Sequence, residues 1–129
     1  MIHQLPLRVY YEDTDFGGIV YYANYLRYIE RGRTEYVREL GVDQVRLKAE
    51  HGVVFAVSRI EADYKSPAKF DDMLLVETTV TKMTPARMIF YQQVKRDDHV
   101  LFLARVTVVA LNAAGQATRL PANIRQSSD

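Results

Sequence analysis

Two aspartates, Asp13 and Asp15, stand just before the glycine pair Gly17-Gly18. A tyrosine-rich run, Tyr21-Tyr22-Ala23-Asn24-Tyr25, follows and opens a helical pattern. A carboxylate can act as a general base or as a nucleophile. A helix N-terminus presents unpaired N–H groups and a partial positive charge, so it can hold an oxygen that becomes negative during reaction. Acid and amides set within a few residues of one another therefore suit attack on a carbonyl. The same residues have an ordinary structural use, since Asp and Thr before a Gly-Gly turn favour Asx-turns and helix caps. Spacing alone does not choose between the two aspartates.

Positioning these groups requires a strand that delivers the acids and a helix that receives them. Leu5, Leu7, Val9 and Tyr11 alternate with Arg8 and Tyr10, which predicts a half-buried strand over 5–11 running straight into the acidic turn. From about Tyr22 to Leu40 the spacing becomes helical. Tyr25, Ile29, Gly32, Tyr36 and Leu40 form an apolar stripe, with Leu26 and Val37 widening it. Gly32 in mid-helix costs about 1 kcal/mol relative to alanine, a cost that close packing on a sheet would compensate. Gly41 is placed to end the helix in a left-handed cap.

A short second helix is predicted over 42–51, then strands over 53–64, 74–82, 87–95 and 99–111, and a short strand near 116–120. Lys65-Ser66-Pro67-Ala68-Lys69-Phe70-Asp71-Asp72 reads as a loop, because Pro67 cannot join a ladder. The strand over 99–111 is apolar on both faces, which predicts a central place beneath the helix. One strand, a long helix and an antiparallel meander make an α+β domain spanning 1–129, with a mobile tail over 126–129. A sheet wrapped on one helix covers only one of its faces well. Outward residues such as Ile89 and Tyr91 therefore predict at least a dimer.

Composition narrows the function. Seventeen Lys and Arg against sixteen Asp and Glu leave a net charge of +1, which gives no whole-molecule attraction to nucleic acid or an anionic membrane. With no cysteine there is no thiolate nucleophile or Cys-based zinc site, which fits a reducing compartment and a cytoplasmic protein. The start of the chain lacks the basic and apolar regions of a secretory leader. The apolar run from Val100 to Leu111 is about half the length of a membrane span. His3, His51 and His99 are isolated, so no metal is expected.

The string Tyr11-Glu12-Asp13-Thr14-Asp15, then Gly18, Val20, Tyr21, Asn24-Tyr25, Glu30-Arg31 and Arg33-Thr34-Glu35, resembles the signature of the hot-dog-fold thioesterases. The likeness is to the 4-hydroxybenzoyl-CoA thioesterase branch, and within it to the YbgC-like acyl-CoA thioesterases. Tyr64 with Pro67-Ala68, Asp71-Asp72-Met73-Leu74 and Arg119-Leu120-Pro121 extend it over nearly the whole chain. The resemblance implies a long helix wrapped by a curved five- to six-stranded antiparallel sheet. It also implies pairing into a double hot-dog homodimer, often doubled to a tetramer, with active sites between subunits. It selects Asp15 as the catalytic carboxylate and leaves Asp13 structural. It makes the Tyr22 backbone N–H the group that polarises the thioester carbonyl, with Gly18 close by. Val20, Tyr25, Lys65, Ser66, Pro67 and Arg87 are the further substrate-binding positions, and no cofactor is implied.

The chain departs from the pattern in two places. Tyr22 stands where many YbgC-like members carry histidine, which blurs the acyl preference. The basic cluster that holds the CoA phosphates in the 4-hydroxybenzoyl enzyme falls on Thr84, Pro85 and Ala86. This leaves Lys65, Lys69, Lys82 and Arg87 as candidate cations. The expected function is hydrolysis of an acyl-CoA thioester, with Asp15 as base or nucleophile. Its rivals are an acyl-carrier-protein thioesterase and a non-catalytic acyl- or protein-binding module of the same fold.

Overall fold

Alternating apolar and polar residues build one antiparallel sheet, and a single amphipathic helix fills its hollow. The computed structural model describes residues 1–122 and 124; the tail over 126–129 lies outside the described residues. In chain order the elements are β1 (His3–Arg8), a 3-10 turn (Tyr11–Asp13), α1 (Asn24–Glu39), α2 (Gln44–His51), β2 (Val54–Tyr64), β3 (Met73–Met83), β4 (Arg87–Arg96), β5 (His99–Leu111) and β6 (Ala117–Thr118). The strands lie in the order β1-β3-β4-β5-β2, with β6 paired to β5. Breaks of register at Val57/Arg59, Val80/Lys82 and Val94/Lys95 bend the strands and so curve the open sheet around the helix.

The first strand is shorter than its alternation predicts. Beyond Arg8 the backbone turns to other partners: the Val9 N–H donates to the Asp72 carbonyl, and the Val9 carbonyl accepts from the Asp71 N–H. The Asp13 carboxylate then takes the Tyr10 N–H at 2.8 Å. That side-chain bond favours a tight turn over a ladder, and Tyr11 is left 80% exposed, not continuing the buried row.

Along α1 the buried residues are Tyr25, Tyr28, Ile29, Gly32, Tyr36 and Val37. Leu26, placed in the stripe by spacing, is exposed and lines a surface groove with Ile60 of the edge strand β2. Tyr28, absent from the predicted stripe, is buried in its stead. At Gly32 the helix meets the sheet: a Cβ there would stand 2.7 Å from Thr78 Oγ1 and 2.9 Å from Val76 Cγ1. Glycine is what permits this approach, and the close packing offsets its poor helix propensity.

The helix lies chiefly on β3, β1 and β4, not over β5. It reaches β5 through Tyr25, whose ring stacks on Phe102 with centroids 5.0 Å apart. The two apolar faces of β5 come from its interior place between β4 and β2. Phe90, Val94, Phe102, Val106, Ile29 and Tyr28 form the centre of the core. Of the two sheet edges, β1 carries Pro6, which supplies no N–H and suits an edge. β2 has no proline and is exposed from Val57 to Tyr64.

Candidate active site

The acidic turn is built by backbone bonds that one side chain completes. The Asp15 N–H donates to the Ile19 carbonyl at 2.9 Å and the Gly18 N–H to the Asp15 carbonyl at 3.0 Å. The Gly17 N–H donates to Asp15 Oδ1 at 2.8 Å. Gly18 has φ +82°, a conformation that glycine adopts at no steric cost. Asp15 is exposed, and its Oδ2 accepts no hydrogen bond among the described residues.

Asp13 does a different job. Its carbonyl accepts from the Tyr21 N–H at 2.9 Å and from Asn24 Nδ2 at 2.9 Å, and its carboxylate is spent on Tyr10. It thereby pins the turn to the helix start. The neighbouring Tyr28 hydroxyl is buried close to Asp13, and among the described residues it makes no hydrogen bond of good geometry. Burial and then the Asp13 charge push its pKa well above that of an ordinary tyrosine.

At the mouth of α1 the N-cap residue, Ala23, gives no side-chain cap, and no acid lies in the first turn. The Tyr22 N–H donates to no group among the described residues. The positive end of the helix is therefore left open to an incoming oxygen. The Tyr22 carbonyl accepts from the Tyr64 hydroxyl at 2.9 Å, and the Tyr22 ring meets those of Tyr21 and Tyr64 edge-on.

The loop between β2 and β3 is stitched against this junction. The Val20 N–H donates to the Ala68 carbonyl at 2.8 Å, Ile19 bridges to Lys69, and the Ala68 N–H donates to the Tyr25 hydroxyl at 3.1 Å. Arg96 holds the loop from beneath through the Pro67 carbonyl and Asp72 Oδ2. Gly18, Val20, Tyr25, Lys65, Ser66 and Pro67 are thus brought to one end of the fold. Val20 and Tyr25 are buried there, whereas Lys65, Ser66, Pro67 and Lys69 are exposed. Burial raises the Tyr25 pKa, against the Ala68 N–H, which lowers it.

Arg87 is not part of this gathering. It begins β4, a strand of ten residues whose far end is Arg96, so it stands about 30 Å from the loop within one chain. Lys82 pairs with Ile89, near the Arg87 end of β4 and likewise away from the loop.

Two features of the structure were not assigned by sequence reasoning. One is the Tyr64 hydroxyl on the helix mouth, a contact between residues far apart in the chain. The other is a cavity of about 200 Å³ between the later turns of α1 and strands β2, β4 and β5. Arg33 lines it and donates through Nη1 to Gln92 Oε1 at 3.0 Å. Gln92 is fully buried, its amide nitrogen donating to the Ile29 carbonyl and Thr78 Oγ1, each at 2.8 Å. Burial lowers the Arg33 pKa.

Around the acidic turn the surface is aromatic: Phe16 is wholly exposed, and Tyr11, Tyr22 and Phe70 are each more than half exposed. A monomer seldom leaves such a patch bare. Among the described residues no cluster of His, Cys, Asp or Glu could hold a metal ion, and no helix is long and apolar enough to cross a membrane.

A family model, the thioesterase-like superfamily, matches residues 9–127. The chain is 45% identical over 107 residues to the acyl-CoA thioesterase YbgC of Haemophilus influenzae, covering 83% of this chain and 79% of that protein. The crystal structure of a probable thioesterase from Bartonella henselae superposes with a TM-score of 0.90 at 33% identity, covering 94% of this chain and all of that one. A variant of 4-hydroxybenzoyl-CoA thioesterase, complexed with 4-hydroxybenzoyl-CoA, superposes with a TM-score of 0.93 over 99% of each chain at 21% identity, a likeness of fold. The chain therefore belongs to the thioesterase-like superfamily, with the hot-dog fold and the thioester-hydrolysing chemistry of that family.

Proposed function

We propose that this chain hydrolyses acyl-CoA thioesters to free acid and CoA, with Asp15 as the catalytic carboxylate and the Tyr22 N–H as the oxyanion donor. The observation that carries this reading is one junction that holds an exposed carboxylate and a helix-mouth amide left unbonded among the described residues. A thioester carbonyl is electrophilic, because sulfur donates poorly to it, and a thiolate leaves readily. The Tyr22 N–H donates to the carbonyl oxygen as it becomes negative, an effect on the order of 3 kcal/mol for one such donor. Asp15 either removes a proton from the attacking water or attacks directly. In the second case CoA thiolate leaves, and water then hydrolyses the mixed anhydride. Lys65 and Lys69, exposed beside the turn, are the near cations for the nucleotide phosphates.

The working unit in this reading is a homodimer joined through β2, whose edge is bare where β1 is blunted by Pro6. Pairing there would cover the aromatic patch. Ile89 and Tyr91, on the opposite face of β4 from the core residues Met88, Phe90 and Gln92, are available for a second pairing into a tetramer. Absence of cysteine fits the cytoplasm as the compartment.

Thiol release from a panel of acyl-CoA and acyl-carrier-protein thioesters tests the reading. Turnover of CoA thioesters is the expected result. Turnover confined to carrier-protein thioesters, or none at all, would overturn it.

A further inference from the structure

One buried hydroxyl beside the acidic turn takes no part in the chemistry proposed so far. Tyr28, on the second turn of α1, is 1% exposed. Its hydroxyl lies close to Asp13 without a hydrogen bond of good geometry among the described residues. A buried donor left unmatched is costly, and one kept at a functional site calls for a use. The fold aims this one. Tyr28 stands four residues after Asn24, so the two side chains share a face of α1. Side chains on a helix lean toward its N-terminus, which carries the Tyr28 hydroxyl back over Asn24. Asn24 Nδ2 already donates to the Asp13 carbonyl at 2.9 Å, so both side chains converge on one residue. The ring itself is packed: Tyr25 meets it edge-on with centroids 6.0 Å apart, and Arg31 Cζ stands over it, 5.9 Å from the centroid.

Asp13 is the residue that joins both halves of the chemistry. Asp15, the proposed catalytic carboxylate, follows it by two residues. The Asp13 carbonyl accepts the Tyr21 N–H at 2.9 Å, one residue before the Tyr22 N–H that is the proposed oxyanion donor. Of its carboxylate oxygens, Oδ2 accepts the Tyr10 N–H at 2.8 Å, and Oδ1 takes no well-formed bond among the described residues. A hydroxyl and a carboxylate oxygen make a short, charge-assisted bond. Hydrogen bonds at active sites are often long or poorly aligned in the free enzyme and tighten in the complex with substrate. Burial, and after it the Asp13 charge, keep the proton on the Tyr28 oxygen, against the weaker opposing effect of Arg31. The group is therefore a donor at any pH at which the enzyme works.

We propose that Tyr28 is a positioning residue for thioester hydrolysis: its hydroxyl donates to the Asp13 carboxylate when substrate is bound, and so fixes the Asp15 carboxylate against the Tyr22 amide. Tyr28 touches neither the thioester nor the attacking water and acts through Asp13. This inference rests on the thioesterase reading above and adds a residue that sets the geometry of that site.

The test is steady-state kinetics on an acyl-CoA that the full-length protein turns over, with wild type, Tyr28→Phe, Asp13→Asn and the double variant, each assayed well below its own melting temperature. Tyr28→Phe keeps the ring and removes the hydroxyl alone. Its kcat should fall roughly tenfold with KM little changed, within the loss of about 10²-fold that a misplacement of about 1 Å can cause. In the Asp13→Asn background the same change should cost no more than about twofold, because the charged acceptor is already gone. A hydroxyl that only supports the fold would shift the melting temperature and leave kcat as it was. That result overturns the inference, as do losses that multiply in the double variant. Should Asp13→Asn fail to fold, the kcat of Tyr28→Phe decides by itself. An active wild type with an unimpaired Tyr28→Phe overturns this inference and leaves the activity standing, whereas a wild type inert toward every CoA thioester overturns both.

Discussion

The Tyr64 hydroxyl donates to the Tyr22 carbonyl at 2.9 Å, so the end of the exposed edge strand holds the mouth of the helix. Tyr64→Phe keeps the ring contacts with Tyr22, Tyr25 and Phe102 and removes that bond alone. Stability should fall by about 1 kcal/mol, the net worth of an ordinary hydrogen bond. If the bond orients the oxyanion donor, kcat should fall roughly tenfold with KM little changed. Steady-state kinetics beside a thermal melt separates the two effects, and equal changes in kcat and KM would count against the positioning role.

Asp15→Asn should fold as the wild type does, because asparagine keeps an Oδ1 to accept the Gly17 N–H that closes the turn. It offers neither a base nor a carboxylate nucleophile. We expect kcat to fall by at least about 10²-fold with an unchanged melting temperature. Retention of most of the activity would remove Asp15 from the mechanism.

At Tyr22 the backbone and the side chain make different predictions. Tyr22→Ala leaves the amide in place and should keep most of kcat. Tyr22→Pro deletes an N–H that bonds to no group among the described residues and should lose about 10²-fold or more, on the scale of a missing oxyanion donor. Parallel kinetics on the two variants checks this, and similar losses in both would point to the ring.

Gly32→Ala sets a gain of about 1 kcal/mol in helix propensity against a steric conflict. The added methyl would meet Thr78 Oγ1 at 2.7 Å and Val76 Cγ1 at 2.9 Å, both on β3 beneath the helix. Overpacking of this kind costs about 1–3 kcal/mol. Urea unfolding should show a net destabilisation, whereas a stabilised variant would mean that the helix can lift at no cost.

Glu77 contributes a pH dependence to stability. Lys95 Nζ stands 2.8 Å from its Oε1 and Gln4 Nε2 donates to its Oε2 at 2.8 Å. Together they hold its pKa below the usual 4.5, against the effect of burial. A lowered folded pKa means that the unfolded chain binds the proton first as the pH falls. The contribution is therefore full above about pH 4.5 and fades as the pH drops through the folded value. Melting temperatures of wild type and Glu77→Gln should differ near neutrality and converge in acid. A gap that persists to low pH would assign the difference to something other than this carboxylate.

Local turn structure was legible in the chain. Gly18 at a positive-φ turn, Gly41 just past the end of α1 and an aspartate side chain closing the turn at Gly17 follow rules that operate over three or four residues. Pairings between distant segments were not. Tyr11 continues an alternation that the Asp13 carboxylate interrupts by taking the Tyr10 N–H, and only the folded turn reveals that competition. Leu26 has the spacing of a core residue but faces the groove beside Ile60, where a single chain's sheet runs out. Arg33 and Tyr64 find their hydrogen-bond partners in Gln92 and Tyr22, each dozens of residues away.

Pro6 in the outermost strand sets a limit on growth. Were both margins of the sheet equally able to recruit another copy, each addition would present a fresh docking place, and chains would accumulate end on end. Blunting one margin would make the proposed association at the other self-terminating, so that aromatic rings could stand near the chemistry without seeding fibres.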